Sequence, residues 1–291
     1  MDRGVPCPGR SLVSIVLALA AAVAWGISDF LGGVTSRRLA LLWVLLVTQA
    51  VGLALVAPLA LRSGQPALGP YGLLAAVAGS LSGLVGIAAL YRAIALGVAS
   101  IAAPISATGA VLPVAWGLLR GEPATPLQEA GVALALLGVL AASRTGREQA
   151  HLGRDATIGV GLALLAALGF GGFFILLHEA GTRDVLWAVT VQRLTGCSVV
   201  AALALLRRPL WSLGWGHALP LLVIGGLDQA ANALYGFAST LGLVSLSAVL
   251  ASLYPVVTVV LARLLLRERV SRVQQTGIVL ALAGVALVAG R

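Results

Sequence analysis

The sequence predicts an all-α integral membrane protein with ten transmembrane helices, arranged as two inverted five-helix repeats. Hydrophobic residues make up 59% of the 291 residues and charged residues only 10%, whereas a soluble domain carries roughly a quarter charged residues. Apolar stretches of about 20 residues, long enough to cross the hydrocarbon core of a bilayer, follow one another along the chain. In addition, the second half of the chain resembles a diverged copy of the first.

The apolar stretches define ten predicted spans that are separated by short polar gaps. We place them at residues 12–32, 39–61, 70–90, 99–119, 126–142, 157–177, 184–206, 217–239, 243–265 and 272–290. Lipid offers no hydrogen-bond partner to a bare backbone, so each continuous apolar run is predicted to be a helix. The longest gap is a linker over 143–156, which separates a first repeat (1–142) from a second (157–291). No gap holds a soluble catalytic module, and we expect no enzymatic activity.

A series of sequence matches between the two halves, at a nearly constant spacing, indicates the repeat. Residues 131–139 read GVALALLGV and residues 277–285 read GIVLALAGV, which are identical at six of nine positions. Gln128 and Gln274 stand three residues before these segments, and Tyr91 matches Tyr235. Because each repeat has five spans, an odd number, the second copy must enter the membrane from the opposite side. Such inverted repeats are typical of alternating-access carriers, whose substrate site lies near the bilayer midplane between the repeats.

Several short motifs, in order and at consistent spacing, match a known family. They are Trp25-Gly26, Tyr91-x-Ala93, Ala99-Ser100-x-Ala102-x-Pro104, Gly121-Glu122, Gln128-x-x-Gly131, Arg267-Glu268 and Gln274-x-x-Gly277. Through them the chain resembles, over nearly its whole length, the drug/metabolite transporter superfamily, in particular its EamA-type ten-helix transporters. The resemblance implies a secondary carrier of small metabolites, amino acids or drugs in the bacterial inner membrane, driven by proton or substrate gradients. It also implies a cavity lined by spans 1, 3, 4, 6, 8 and 9.

Asp228 is the strongest candidate for the substrate site, because it falls in the middle of the eighth span. An ionised carboxylate there costs at least ~2.5 kcal/mol, so it should face a cavity or a partner. Asn232 lies four residues on and Tyr235 three further, on the same helix face, which suggests a cavity lining. The alternative is a structural ion pair with Arg193, in the middle of the seventh span. Arg193 could otherwise bind a substrate carboxylate through its planar fork of donors.

Four further residues complete the predicted substrate-binding set. Asp29, in the first span, could bind a cationic substrate or a coupling proton, or it could be a solvated helix end. Trp25 lies deep enough in the same span to stack on a ligand. Tyr91 and Tyr254 are candidates for orienting the substrate.

Other function classes are excluded or ranked lower by what the sequence lacks. There is no Walker-type loop and no Cys/His cluster, so we expect no cofactor, no metal and no ATP-driven pump. The net charge of +9 lies mostly in the loops, where it suits anionic lipid headgroups better than nucleic acid. The expected partners are a small-molecule substrate, membrane lipids and protons, and the oligomeric state is not predicted. The alternatives are a non-transporting scaffold or accessory subunit and a carrier of a lipid-linked substrate.

The arginine distribution conflicts with the orientation that the family implies, in which both termini are cytoplasmic. Six arginines would then face the cytoplasm: Arg3, Arg10, Arg62, Arg120, Arg183 and Arg291. Eleven would face the other side: Arg37, Arg38, Arg92, Arg144, Arg147, Arg154, Arg207, Arg208, Arg267, Arg269 and Arg272. The positive-inside rule would place the side with eleven arginines in the cytoplasm, which is the opposite orientation.

We keep the family orientation and predict that alkaline phosphatase fused to the C-terminus is inactive, because that enzyme works only in the periplasm. Colonies that carry the fusion would be assayed for phosphatase activity. Strong activity would reverse the assigned orientation.

Overall fold

Helices account for nearly all of the chain that the computed structural model describes. The described residues are 8–64, 68–96, 99–122, 125–142, 153–208, 215–265 and 272–289, and none of them forms a β-strand. The predicted linker residues 143–152 and the Arg267-Glu268 motif lie outside these ranges. The α-helices in them are α1 (Pro8–Thr35), α2 (Leu41–Ser63), α3 (Gly69–Ala95), α4 (Ala99–Ala107), α5 (Val111–Leu119), α6 (Pro126–Ala142), α7 (Gly153–Gly181), α8 (Val185–Arg207), α9 (Ala218–Leu241), α10 (Val244–Ala251), α11 (Tyr254–Leu265) and α12 (Arg272–Ala289).

The helices make this an integral, multi-pass membrane protein. Six segments in the described ranges are long and apolar enough to cross a bilayer, and they correspond to α1, α2, α3, α7, α8 and the α10–α11 unit. Shorter apolar helices cover Ile105–Leu119 and Glu129–Gly138. The 24 residues of α9 are not among the six, because Asp228, Gln229 and Asn232 lower the mean hydropathy of this helix. The all-helical class is therefore confirmed, whereas the count of ten spans stays a prediction.

The predicted fourth and ninth spans are each broken into two helices. The first break is a 3₁₀ turn over Thr108–Ala110, between α4 and α5. The second falls between the end of α10 at Ala251 and the start of α11 at Tyr254. Pro113 and Pro255 lie in the first turns of α5 and α11, where a missing N–H costs nothing, whereas in a continuous helix each would remove a hydrogen bond. The two breaks stand at equivalent places in the two repeats.

The two repeats interlock through reciprocal helix pairs. The first helix of each repeat packs along the third helix of the other, so that α1 lies on α9 and α7 lies on α3. In the same way α2 pairs with α8, and α6 pairs with α12. This exchange is the pattern expected when a pseudo-two-fold axis relates the repeats. The space between the first three helices of each repeat therefore lies at the interface between the repeats.

Two glycines at equivalent positions bring the first helix of each repeat onto the broken helix of the other. A Cβ atom on Gly26 of α1 would lie 2.6 Å from the carbonyl oxygen of Tyr254, where α11 begins. A Cβ on Gly171 of α7 would lie 2.5 Å from the carbonyl oxygen of Gly109, in the 3₁₀ turn. Such distances leave no room for a side chain. Small residues thus permit close helix contact where lipid provides no hydrophobic drive for association.

A carboxylate also joins the repeats, because Glu122 caps the start of α10. Glu122 follows α5; its Oε1 accepts the N–H of Val244 at 2.6 Å and its Oε2 accepts the N–H of Ser245 at 3.2 Å. The Ser245 hydroxyl donates to the same Oε2. The first N–H groups of a helix have no intrahelical acceptor, and a negative charge there is favoured by the helix dipole. Glu122 therefore fixes the end of one broken helix against the start of the other.

Glu179, near the end of α7, makes a second polar connection between the repeats. Its carboxylate accepts from the Tyr71 hydroxyl at 3.0 Å, from Trp116 Nε1 at 3.1 Å and from Arg120 Nη2 at 3.3 Å. The Arg120 guanidinium also stacks over the Trp116 ring, 4.6 Å from its centroid. Glu179 thus ties α7 to α3 and α5.

The close approach of Gly171 predicts that Gly171→Ala destabilises the protein. The added methyl group would meet backbone, which cannot move aside without shifting a helix, so we expect a loss of about 1–3 kcal/mol in the free energy of unfolding. Gly161→Ala on the same helix is the matched control, since nothing lies within 4 Å of its Cβ position. Thermal unfolding in detergent measures both. Equal stability of the two variants would contradict the close contact between the repeats.

Candidate functional site

A cavity lies where the two repeats meet. It encloses about 620 Å³, counting the space open to solvent. It is lined by Trp25 and Asp29 of α1, Gln49 of α2, Ser80, Gly83, Leu84 and Ile87 of α3, Phe170, Phe173 and Phe174 of α7, Gln192 and Arg193 of α8, Asp228 and Asn232 of α9, and Tyr254 of α11. The second and seventh predicted spans therefore contribute to the lining. The fourth contributes no described residue, contrary to expectation.

The Arg193 guanidinium is the most highly connected group in the cavity wall. Its Nε donates to Gln229 Oε1 at 2.8 Å, its Nη1 donates to Gln49 Oε1 at 2.5 Å, and its Nη2 lies 2.7 Å from Asp228 Oδ2. The side chains of the ion pair are only 7% and 19% exposed. The structure therefore contains the Asp228–Arg193 pair that the sequence suggested. Nε and Nη1 of Arg193 donate hydrogen bonds, whereas Nη2 is held by the ion-pair contact with Asp228 alone.

Arg193 and Gln49 occupy equivalent positions in the two repeats, and the side chain of each lies against a glycine of the opposite helix. A Cβ on Gly52 of α2 would lie 3.0 Å from Arg193 Nε, and a Cβ on Gly196 of α8 would lie 2.8 Å from Gln49 Nε2. Gly52 and Gly196 also match in the sequence repeat. The hydrogen bond between Arg193 and Gln49 thus joins the two repeats, and each glycine makes room for the polar side chain of the opposite helix.

Both oxygens of the Asp228 carboxylate have a partner. While Oδ2 pairs with Arg193, Oδ1 lies 3.3 Å from Nδ2 of Asn232, which also donates to the Asp228 carbonyl oxygen at 2.5 Å. The spacing of four residues on α9 places the two side chains one turn apart on a single face. Asp228 and Asn232 therefore line the cavity as one connected polar group.

Asp29 lies in the interior of the protein, which excludes the interpretation of a solvated helix end. Its side chain is 3% exposed, since α1 continues to Thr35 and packs against α9 and α11. Its Oδ1 has no hydrogen-bond partner among the described residues, and neither has Nε2 of Gln192. Among the described residues, the cavity wall therefore carries a carboxylate oxygen and an amide nitrogen without a partner, and Arg193 Nη2 makes an ion-pair contact but no hydrogen bond.

Aromatic rings form a large part of the apolar wall. The Trp25 ring lies 6.1 Å from that of Phe173 and 5.6 Å from that of Phe174, and Phe170 lies edge-on to Tyr254 at 6.0 Å, all between centroids. Trp25 and Tyr254 were predicted to face the substrate, whereas the phenylalanines were missed. The repeat alignment carried a signal for them, because Phe170 stands at the position that Trp25 holds in the first repeat.

Tyr91 and Tyr235, which were predicted to contact the substrate, do not line the cavity. The Tyr235 hydroxyl donates to the carbonyl oxygen of Phe174 at 3.0 Å, and its ring lies behind Phe174 at 4.7 Å. Tyr91 is 2% exposed and fills the space beside Gly32. Helix periodicity places Tyr235 on the Asp228 face of α9, but α7 covers this part of the face. Both tyrosines therefore lie behind the wall that they were expected to form.

An all-helical membrane protein with two interlocked repeats and a polar cavity between them has the architecture of a membrane transporter. The chain belongs to the EamA-like transporter family, whose model matches residues 12–144 and 157–290. A solved structure described only as "Crystal structure of protein" covers 94% of this chain and 95% of its own, with a TM-score of 0.72 and 20% sequence identity. That likeness establishes the fold alone. None of the curated proteins compared matches the chain.

The buried ion pair predicts a non-additive response to substitution. Asp228→Asn and Arg193→Gln should each lower the free energy of unfolding by roughly 3 kcal/mol, because each leaves the other charge buried and unpaired. The double variant should lose less than the sum, since both charges are gone and glutamine is the residue that the first repeat carries at the equivalent position. Chemical unfolding in mixed micelles measures the four proteins. Strictly additive losses would show that the two charges are not coupled.

Proposed function

We propose that this protein is a secondary active transporter that moves small metabolites, amino acids or drugs across the bacterial inner membrane by alternating access. The observation that carries the proposal is the cavity between the interlocked repeats, to which both repeats contribute polar side chains. The proposed substrate site comprises Trp25, Asp29, Arg193, Asp228, Asn232 and Tyr254. Tyr91 and Tyr235 support its walls from behind.

The proposed architecture has ten spans and two repeats of inverted topology. The reciprocal pairing of α1 with α9 and of α3 with α7 is what a two-fold axis between the repeats produces. The odd number of predicted spans in each repeat is the reason to place this axis in the membrane plane. Substrate would pass from one side to the other as the bundle rocks around the cavity. The helix breaks beside Gly26 and Gly171 are suitable hinges, since each joins two short helices that can tilt separately.

Coupling to a proton or solute gradient completes the proposal. A buried carboxylate in a membrane-spanning helix is costly when ionised, so that binding and releasing a proton changes its free energy strongly. Two such carboxylates, Asp29 and Asp228, line the cavity. A scaffold that moves nothing could use the Asp228–Arg193 pair but not Asp29, which has no ion-pair partner among the described residues. The cost of burying Asp29 therefore favours a carrier.

Proteoliposomes test the proposal directly. Purified protein would be reconstituted and offered a pooled panel of metabolites, amino acids and drugs, with and without an imposed pH gradient. We expect gradient-dependent accumulation of at least one solute. In Asp228→Asn its initial rate per folded protein should fall about tenfold or more, the effect of losing roughly 1.4 kcal/mol of stabilisation. Glu129→Gln, at an exposed position on α6, removes the same charge outside the cavity and should leave the rate unchanged.

Other outcomes separate the alternatives. If no solute accumulates while labelled lipid crosses between leaflets, the protein carries a lipid-linked substrate instead. If neither soluble nor lipid compounds move, the transporter proposal fails in favour of a scaffold. Accumulation that survives Asp228→Asn would retain the carrier and confine Asp228 to its structural pair.

A further inference from the structure

The charges around the cavity do not balance. Three charged side chains line it: Asp29, Arg193 and Asp228. Arg193 and Asp228 neutralise each other at 2.7 Å. No ion pair within the described ranges includes Asp29. With both acids ionised, the cavity therefore presents one surplus negative charge to whatever enters it.

Arg193 is poorly placed to receive an anion. Its three nitrogens already contact Gln229, Gln49 and Asp228. An anionic substrate at the guanidinium would meet the Asp228 carboxylate beside it as a like charge. If it displaced Asp228 or a glutamine instead, contacts that tie α2, α8 and α9 together would be lost. The geometry thus argues against the carboxylate-binding role that the sequence left open for this arginine.

Asp29, in contrast, gains from a cation. Its side chain is buried, and Oδ1 has no donor in the part of the chain that the structure describes. A buried carboxylate oxygen without a donor has lost its hydration and received no hydrogen bond in return. A positively charged group beside Asp29 removes this penalty.

The aromatic residues of the cavity wall favour one kind of cation over another. Trp25 lies four residues before Asp29, so the two share one face of α1, and Phe170, Phe173 and Phe174 extend the aromatic surface. Aromatic faces attract ammonium groups and bury an apolar body at the same time. A metal cation such as Mg²⁺ or Ca²⁺ instead needs six or more oxygen ligands, whereas Asp29 is the single carboxylate available. Organic cations therefore fit this site better than inorganic ones.

We propose that the substrate class of this cavity is organic cations, with an ammonium group paired with Asp29 and an apolar body packed against Trp25 and the phenylalanines. The inference rests on the proposed function, because it names the substrate class of the same site. It also assigns unequal roles to the two acids: Asp228 holds the repeats together through Arg193, and Asp29 recognises the charge of the substrate.

Matched probes of equal shape and different charge test the proposal. Benzyl-, phenethyl- and naphthylmethyl-trimethylammonium would each be compared with the uncharged analogue in which carbon replaces nitrogen and with the corresponding sulfonate. Binding to the full-length protein in detergent would be measured by calorimetry. We expect at least one ammonium compound to bind about tenfold or more tightly than its uncharged and anionic counterparts. Asp29→Asn, which keeps the shape of the side chain, should abolish that preference.

The controls separate loss of recognition from loss of fold. Glu129→Gln removes an exposed acidic charge on α6 and should retain the preference for the cation. Trp25→Leu keeps an apolar side chain without a ring face and should weaken ammonium binding about threefold to thirtyfold, the range of a cation–π contact, with little effect on the uncharged analogue. Thermal unfolding of each variant, compared with the native chain, identifies any that misfold.

Three results would overturn the inference: no ammonium probe of any size binds more tightly than its counterparts, the sulfonates bind best, or Asp29→Asn retains the preference in a folded protein. Transport assays distinguish this failure from failure of the proposed function. Proteoliposomes that accumulate anionic or uncharged solutes, but not cations, would retain the carrier and reject the cation. Tight, Asp29-dependent binding of a cation that never crosses the membrane would reject the carrier and retain the site.

Discussion

The Arg193 guanidinium lies between helices of both repeats, and its burial constrains how α2, α8 and α9 pack. A charge in a membrane-spanning bundle is tolerated when the protein supplies its partners. Here the partners are Gln49, Gln229 and Asp228, on two other helices. A rotation or a sliding of either helix would leave the charge unpaired, so the polar contacts fix the register of the interface. The apolar contacts must fit the same register, which is why glycine occupies the positions that the polar side chains cross.

Two kinds of contact hold the helices of this bundle together. Close contacts at Gly26 and Gly171 hold the first helix of each repeat against the broken helix of the other, where the helices pack with no room for side chains. Polar contacts hold the second helices together and cap the start of α10 through Glu122. The cavity remains where neither kind of contact closes the space, and this explains why its wall combines aromatic rings with buried polar groups.

Divergence of the repeats makes the cavity asymmetric. The fold places equivalent positions on opposite walls, but the residues there differ: Gln49 faces Arg193, and Trp25 has Phe170 as its counterpart. Asp29 and Asp228 come from different positions within their repeats, so neither acid is matched by a second acid across the axis. A symmetric scaffold thus carries one neutralised carboxylate and one free of a described counter-ion, and a substrate would bind off the axis.

The sequence by itself determined the membrane class and the two repeats, and it named the pairing of Asp228 with Arg193 as one of two alternatives. Hydropathy, spacing and the cost of a buried charge are local properties that leave a trace in the chain. Only the tertiary structure decided which side of each helix faces the cavity. Tyr235 shares a helix face with Asp228 yet is covered by α7, whereas Phe173 and Phe174, which look like ordinary lipid-facing residues, form the wall. In an apolar helix any face can be buried, since lipid and protein interior are similar in polarity. The choice therefore depends on interhelical packing, which no single helix encodes.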